Sequence, residues 1–206
     1  MRNPVKPTLT RFLFSALACT VLLGGCATDK APAATTFDFG PAPQGAAPAM
    51  LGAVVVTDVT GSSALDNERM YYRLNYADPL QARSYAHSRW TASPLQMVTQ
   101  RIKVRLSQAG AKVLAPTDAS TGVAILRTEI DDFTHSFDSQ SQSQGSLVLR
   151  ASLFQGHKLI DQRTFTRKTA ATSADAGGGA RALAASTDAV ASDIAAWLAT
   201  LPPPKE

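Results

Sequence analysis

The fold is decided by residues 66 to 110, which read DNERMYYRLNYADPLQARSYAHSRWTASPLQMVTQRIKVRLSQAG. Residues 69 to 76 alternate as a β-strand requires: Met, Tyr, Leu and Tyr point one way, and Arg, Tyr, Arg and Asn the other. The Ala-Asp-Pro sequence at 77–79 ends this strand, because proline lacks an N–H donor and keeps the residue before it extended. A second extended run follows from Arg83 to Trp90, so the segment predicts two neighbouring strands.

The second half of this segment predicts an amphipathic helix from Pro94 to Ala109. Ser93 can cap its start, Pro94 suits the first helical position, and Gln96 stands three residues after Ser93, the spacing of a capping box. Gly110 can supply the left-handed residue that ends a helix. The apolar side chains that we expect to be buried follow helical spacing: Leu95, Val98, Ile102, Leu106 and Ala109.

Turn residues and β-branched runs divide the rest of the chain into further elements. We expect strands at Thr36–Phe39, Met50–Val59, Lys112–Leu114, Val123–Phe133, Ser146–Phe154 and Leu159–Lys168. The last three runs predict an antiparallel meander. The triple glycine at 177–179 predicts a flexible entry to a second helix, Ala180–Leu201, because a phosphate-binding loop would need a lysine and a hydroxyl residue after the last glycine. The predicted fold class is α+β, with a mostly antiparallel mixed sheet of about six to seven strands and two helices packed on one face.

The first 25 residues predict a lipoprotein signal peptide. A basic start precedes an apolar run from Phe12 to Leu23, which is shorter than the ~20 residues that a membrane-spanning helix needs. The run ends in Leu23-Gly24-Gly25-Cys26, which resembles a bacterial lipobox. This motif predicts cleavage before Cys26 and lipidation of its thiol. Incorporation of palmitate would report that lipidation. The alternative is an ordinary secretory signal that contains this cysteine by chance.

Three further segments are predicted after the cleavage site. Residues 26–35 form the lipidated cysteine and a short polar tether, residues 36–201 a single domain, and residues 202–206 a proline-rich tail. Alanine at position 27 is the residue type that lipoprotein sorting usually passes to the outer membrane, whereas aspartate there favours the inner membrane. The predicted location is the periplasmic face of the outer membrane, held by acyl chains that contribute ~0.8 kcal/mol per buried methylene. The inner membrane is the less favoured alternative.

Removal of the signal peptide changes the charge balance. The full chain has 20 basic and 16 acidic residues, and the signal holds three of the basic ones, so the mature chain has a net charge of +1. A nearly neutral domain gives no support to nucleic-acid binding. Cys19 leaves with the signal and Cys26 is committed to the lipid, which excludes a disulfide or a cysteine-based metal site in the mature chain.

The sequence offers little for catalysis. His87, His135 and His157 lie in separate elements, the last two near turns, and we expect them to be solvated or structural. Asp131 and Asp132 are consecutive on a strand, so their carboxylates point to opposite faces and do not converge on a cation. The sequence contains no nucleophile-elbow motif. We therefore predict a protein that is not an enzyme, with no catalytic residues, no metal site and no cofactor.

Several short motifs in a fixed order carry a resemblance to a known family. They are TFDFGP at 36–41, RMYYR at 69–73, YAHSRW at 85–90 and the proline that opens the first helix. Over residues 36 to 200 the chain resembles the auxiliary lipoproteins of ABC-type transport systems. That family includes the paraquat-inducible lipoprotein, which works beside MCE-domain proteins.

The resemblance implies a function and a set of partners. The chain would be an outer-membrane lipoprotein acting as a non-catalytic accessory subunit of an MCE-type ABC system that moves lipids across the periplasm. Its partners would be the periplasmic MCE-domain protein with its permease and ATPase, and the membrane through the lipid on Cys26; a homo-oligomer is also allowed. The alternative is a free-standing periplasmic module that binds a lipid or another small ligand. The residues do not identify the transported substrate.

Two basic sets of side chains are candidates for the partner surface. If both helices cover one face of the sheet, the other face meets water or a partner, and Arg69, Tyr71 and Arg73 would line it. The first helix carries the second set off its apolar stripe: Arg101, Lys103 and Arg105. Exposed basic residues on a helix usually form a solvated face, whereas tyrosine and arginine are favoured at the centres of interfaces. We predict the strand set as the partner-binding residues; the alternative is that it, too, is a solvated face.

Overall fold

The computed structural model describes residues 33–44, 51–118 and 121–201. The strands, in chain order, are β1 (Thr35–Phe37), β2 (Ala53–Val56), β3 (Thr60–Gly61), β4 (Arg69–Leu74), β5 (Asp78–Trp90), β6 (Lys112–Leu114), β7 (Ala124–Phe137), β8 (Ser143–Gln155) and β9 (Lys158–Ala170). The helices are α1 (Pro94–Gln108) and α2 (Ala176–Thr200), with a 3-10 helix at Ser63–Leu65. The predicted signal peptide, Cys26 with the tether up to residue 32, and the tail at 202–206 lie outside the described residues.

One sheet holds the nine strands of the described residues, and β7 is its central strand. The early part of β7 pairs with β2, the middle with β3 and the end with β4, all in parallel, while β8 runs antiparallel along its other edge. Farther out, β6 joins β2, β5 joins β4, β1 joins β5, and β9 joins β8. The antiparallel ladders of β8 with β7 and β9 are long, whereas each parallel pairing spans only two or three residues.

The predicted α+β class with a mixed sheet and two helices is confirmed, but the predicted number of strands is too low. The sheet has nine strands instead of six to seven. Eight of these nine strands overlap runs that the sequence predicts as extended; the exception is β3, whose two residues, Thr60 and Gly61, are too few to show the alternation that identifies a strand. Pairing with Glu129 and Ile130 of β7, rather than local sequence, makes this segment a strand.

Helix α1 begins and is buried as the sequence predicts. The side chain of Ser93 accepts a hydrogen bond from the backbone N–H of Gln96, and Pro94 occupies the first turn. Gly110 follows the helix with a positive φ of 95°. The members of the predicted stripe that are 0% exposed are Val98, Ile102 and Leu106. Local sequence therefore determines both the start of this helix and the face that it buries.

Helix α2 begins earlier than predicted, so the prediction of a flexible glycine entry is wrong. Asp175 caps the helix by accepting a hydrogen bond from the N–H of Gly178. A Cβ on Gly179 would lie 2.3 Å from Nδ1 of His135, closer than non-bonded atoms approach. Glycine is needed here because the first turn of α2 packs directly against β7. Although α2 has 25 residues, no helix in the described part of the chain is long and apolar enough to cross a membrane.

Strand β7 extends beyond its predicted end, to Phe137, and contains a β-bulge. Its register to β8 shifts between Ile130 and Asp132, which leaves Asp131 as the extra residue. Before the bulge, even-numbered residues such as Ile130 point into the core; after it, odd-numbered residues such as His135 and Phe137 do. The bulge therefore determines which side chains of β7 lie beneath α2.

Both helices pack on the same face of the sheet. The core is one cluster that includes Ile102 of α1, Leu149 of β8 and Ile194 of α2. Gly145 of β8 allows α2 to approach closely, because an added Cβ would lie 2.5 Å from the backbone nitrogen of Leu183. Within residues 33–44, 51–118 and 121–201, no helix covers the opposite face, which we call the helix-free face.

Candidate functional site

The strand set lies on the helix-free face. Met70 of β4 is fully buried in the core, so the alternation of the strand turns Arg69, Tyr71 and Arg73 to the opposite side. The parallel register agrees, because Arg73 pairs with Ser136, whose side chain also points away from the core. Arg69 is exposed, and Tyr71 and Arg73 are half-buried. The structure thus brings the three side chains together on one accessible face.

Polar contacts fix part of this face. Nη1 of Arg73 donates to the carbonyl oxygen of Pro79 at 3.1 Å, across the β4–β5 turn. Farther along the face, Arg150 of β8 pairs with Glu129 and Asp131 of β7. The hydrogen bond to Glu129 raises the pKa of Arg150 above its ordinary value. Arg150 therefore offsets one of these two negative charges, and the positive charges of Arg69 and Arg73 lie on a separate part of the face, at β4.

The prediction of a solvated basic face on α1 is wrong for two of its three residues. Arg101 and Arg105 are only 5% and 8% exposed, and both reach Asp188 of α2. Nη1 of Arg101 donates to both carboxylate oxygens of Asp188 at 3.1 Å. Lys103, by contrast, is 22% exposed and pairs with Asp58 at the surface. We call Arg101, Arg105 and Asp188 the arginine clamp.

The clamp also forms hydrogen bonds with residues 39–43, which follow β1. Nη2 of Arg101 donates to the carbonyl oxygens of Phe39 and Gly40, both at 2.7 Å. Nη1 of Arg105 donates to the carbonyl oxygen of Pro43 at 2.8 Å. The guanidinium of Arg101 lies over the ring of Phe39, 5.6 Å from its centroid. Burial of the two arginines is tolerated because a carboxylate and these carbonyl groups replace the lost water.

The three histidines lie apart. His87 of β5 and His157 of the β8–β9 turn are exposed, whereas His135 is fully buried. His135 lies near a turn, as the sequence suggested, but inside β7, because the strand continues past the bulge to Phe137. In the described part of the chain, no three His, Cys, Asp or Glu side chains gather as potential metal ligands.

His135 forms a buried pair with Tyr85 of β5. Its Nδ1 lies 2.8 Å from the hydroxyl oxygen of Tyr85, a hydrogen bond. The ring of Phe137, with centroids 4.4 Å apart, and Gly179 of α2 pack against the imidazole. Burial lowers the pKa of His135 to about 4, and the carboxylate of Asp175 offsets part of this shift. Burial likewise raises the pKa of Tyr85, so both groups are neutral near pH 7 and the pair supports packing.

The buried histidine predicts a pH dependence of stability. The pKa of His135 in the folded state lies below the ~6.5 of an exposed histidine, so the unfolded chain takes up a proton first. The free energy of unfolding should therefore fall by about 2 kcal/mol between pH 7 and pH 5, above the range in which ordinary carboxylates titrate. Urea unfolding at the two pH values measures this. His135→Gln removes the titrating group, and an unchanged pH dependence in that variant would contradict the assignment.

An open groove of about 1100 Å³ lies beside α1. Its apolar lining includes Phe39, Leu95 and Val104, of which Val104 is 43% exposed. Asp38 and Asp58 add carboxylates to the lining. The volume is that of a small-molecule pocket, although such pockets usually enclose most of their ligand.

Solved structures share this fold. Protein XCC0632 from Xanthomonas campestris, of the DUF330 family, superposes with a TM-score of 0.67 at 17% identity, covering 80% of this chain and 95% of that protein. An uncharacterized protein superposes with a TM-score of 0.65 at 14% identity, covering 81% of this chain and 99% of its own. A point variant of the PelC dodecamer from Paraburkholderia phytofirmans gives a TM-score of 0.44 at 12% identity, over 77% of this chain and 93% of that one. The first two likenesses show the fold.

The comparison of sequences identifies the family. No curated protein matches the chain. The model of the ABC-type transport auxiliary lipoprotein component matches residues 37–195, which include the strand set and the arginine clamp. The resemblance that the motifs of residues 36–41, 69–73 and 85–90 suggested is thereby confirmed. The chain belongs to the ABC-type transport auxiliary lipoprotein component family.

Proposed function

We propose that this protein is a lipoprotein of the outer membrane and a non-catalytic accessory subunit of an MCE-type ABC system that moves lipids across the periplasm. Family membership supports the auxiliary role in ABC-type transport. The lipobox that ends at Cys26 supports the anchor, and Ala27 supports the outer membrane. The resemblance over residues 36 to 200 supports the MCE-domain protein, with its permease and ATPase, as the partner.

The observation that carries the proposal is the basic strand set on the helix-free face. Arg69, Tyr71 and Arg73 occupy alternate positions of β4, so their side chains form a row with a spacing of about 7 Å. Tyrosine supplies a large contact area, and arginine supplies fixed donors that match carboxylates. We infer that the MCE-domain protein presents an acidic surface to this row.

Reversal of both arginine charges should weaken the complex. We expect Arg69→Glu with Arg73→Glu to reduce affinity for the soluble part of the MCE-domain protein at least tenfold, about 1.4 kcal/mol, because like charges would then meet. The matched control is Lys112→Glu with Lys158→Glu, which makes the same change in net charge at exposed positions of β6 and β9. Surface plasmon resonance on folded variants measures both affinities.

The control decides how the result is interpreted. If the lysine variant loses as much affinity as the β4 variant, the contact is not at β4. The basic residues of α1 cannot serve as the control, because Arg101 is buried and its reversal would disturb the fold. Absence of binding even by the wild-type protein would favour the ligand-binding alternative.

Lipidation of Cys26 has a separate test. Cys26 lies outside the described residues, so this prediction depends on the sequence motif. We expect Cys26→Ser to abolish labelling by radioactive palmitate and to leave the chain uncut or released by a general peptidase. Cys19→Ser, which changes the cysteine inside the signal, should leave the label intact. Undiminished label in the Cys26 variant would contradict the lipoprotein assignment.

The groove beside α1 favours a second candidate, a periplasmic module that binds a lipid or another small ligand. Its volume of about 1100 Å³ and its apolar lining from Phe39 and Leu95 suit an acyl chain. Saturable binding of a fluorescent phospholipid by the protein alone, together with no affinity for the MCE-domain protein, would favour this candidate over the accessory subunit.

A further inference from the structure

The direction of β1 shows from which end of the sheet the N-terminal segment enters. β1 runs parallel to β5, and Thr35 pairs with Ser88. The first residue of β1 is therefore the one nearer to the end of the sheet at which β5 begins, at Asp78. That end carries the β4–β5 hairpin, whose tip we define as residues 75–80, NYADPL.

The tip exposes apolar side chains that the core does not use. Leu80 is 88% exposed and Tyr76 is 47% exposed, and among the described residues only two other large hydrophobic side chains are exposed. Asn75 donates its backbone N–H to the carbonyl oxygen of Phe137, so the turn that follows β7 lies at the same end. That turn has the polar sequence SQSQ at 139–142. The exposed apolar side chains at this end of the sheet are therefore those of the hairpin tip.

The tip lies closer to β1 than the maximum reach of the chain between Cys26 and β1. Thr36 and Arg69 both pair with Arg89, so they stand at the same level of the sheet. From Arg69, β4 continues for five residues to Leu74, about 17 Å at ~3.3 Å per residue. Cys26 precedes Thr36 by ten positions, and a chain of that length reaches ~35 Å at most. The chain is therefore long enough for a lipid on Cys26 to reach the level of the tip.

We propose that the tip of the β4–β5 hairpin rests on the lipid surface that holds the anchor, with Leu80 and Tyr76 in the interfacial region. This contact rests on the proposed lipidation of Cys26. Tyrosine suits a membrane interface because its ring is apolar and its hydroxyl is polar, and leucine adds apolar burial. Arg83, whose Nε donates to Gln81 at 2.6 Å, offsets the charge of Asp78 in the tip, so the contact depends on the apolar side chains. Because the acyl chains already hold the protein, the tip needs only to orient it.

A bilayer suits this patch better than a protein does. A stable protein interface buries about 800 Å² on each partner, far more than two side chains on a narrow hairpin present. A lipid surface needs no matching shape, and the anchor would bring it to the end of the sheet at which Leu80 and Tyr76 are exposed.

Probes at opposite ends of the sheet test the contact in the full-length lipidated protein, reconstituted in vesicles of phosphatidylethanolamine and phosphatidylglycerol. Leu80→Cys and Leu159→Cys are labelled with an environment-sensitive fluorophore, since the lipidated mature chain contains no other thiol. Leu159 is the matched control, because it is 46% exposed but pairs with Phe154 at the far end of β8. Lipids that carry a spin label on the acyl chain should quench the probe at position 80 severalfold more than the probe at 159, with a blue shift only at 80.

The possible outcomes separate this contact from the anchor. Equal quenching at the two positions, or none at either one in palmitate-labelled protein, would overturn the contact and leave the lipidation intact. Stronger quenching at 159 would overturn it by placing the other end of the sheet on the membrane. A blue shift at 80 without quenching would assign the tip to a contact with a second copy of the chain and overturn the lipid contact. Protein that takes up no palmitate would overturn both the anchor and the contact.

Discussion

Replacement of Arg101 by glutamate is expected to destabilise the domain by about 3–5 kcal/mol or more, the cost of breaking a buried ion pair from one side. The new carboxylate would face Asp188 and the carbonyl oxygens of Phe39 and Gly40, which now accept hydrogen bonds from the arginine. All of these groups are acceptors or anions, so the variant has nothing to replace the lost donors. Such a loss approaches the whole stability of many domains.

Lys103→Glu is the matched control for this prediction. It makes the same charge reversal two positions along α1, but Lys103 pairs with Asp58 at the surface, where an ion pair contributes about 1 kcal/mol or less. Urea unfolding followed by circular dichroism compares the two variants. If Arg101→Glu were no more destabilising than Lys103→Glu, the arginine clamp would not contribute to stability, and the solvated face predicted from the sequence would be the better description.

Ile102→Asp is expected to have an equally severe effect through the core. Ile102 is 0% exposed in the middle of the apolar stripe of α1. The substitution would remove buried apolar surface and place a carboxylate without a partner among hydrophobic side chains, at a cost of several kcal/mol against a total margin of ~5–15 kcal/mol. We expect the variant to be largely unfolded at room temperature, with loss of the cooperative thermal transition.

Val104→Asp is the control on the same helix, because Val104 is 43% exposed and its replacement leaves the new carboxylate in water. Thermal melting of both variants and the wild type gives the comparison. A melting temperature for Ile102→Asp within a few degrees of that for Val104→Asp would mean that α1 does not pack on the sheet by the face described here.

The elements that could be predicted from the sequence are those whose signals are local. Helix α1 has its cap at Ser93 and its stripe within one segment, and β4 shows its alternation within six residues. The arginine clamp could not be predicted in this way, because Arg101 and Asp188 are 87 residues apart. An arginine that binds a carboxylate on another helix has the same neighbouring sequence as an arginine whose side chain is exposed to water.

The bulge in β7 shows a second limit. Alternation predicts which face a side chain occupies only while the strand register is unbroken, and the extra residue at Asp131 reverses the facing of each later residue. The burial of His135 follows from this shift and could not be predicted from position alone. In contrast, the two register shifts between β4 and β5 place their extra residues in β5, so Arg69, Tyr71 and Arg73 keep the alternation of β4 and their common face could be predicted from the sequence.

The arginine clamp stands where mechanical force from a membrane anchor would enter the fold. If the proposed lipid on Cys26 anchors the chain, tension applied along β1 from its first residue would load the hydrogen bonds between β1 and β5 in shear. Immediately after β1, Arg101 binds the carbonyl oxygens of Phe39 and Gly40 and connects them through Asp188 to α2. Resistance to pulling depends on the barrier to unfolding and not on the equilibrium free energy. Tension that reaches the three residues of β1 would therefore be shared with both helices through the buried guanidinium of Arg101.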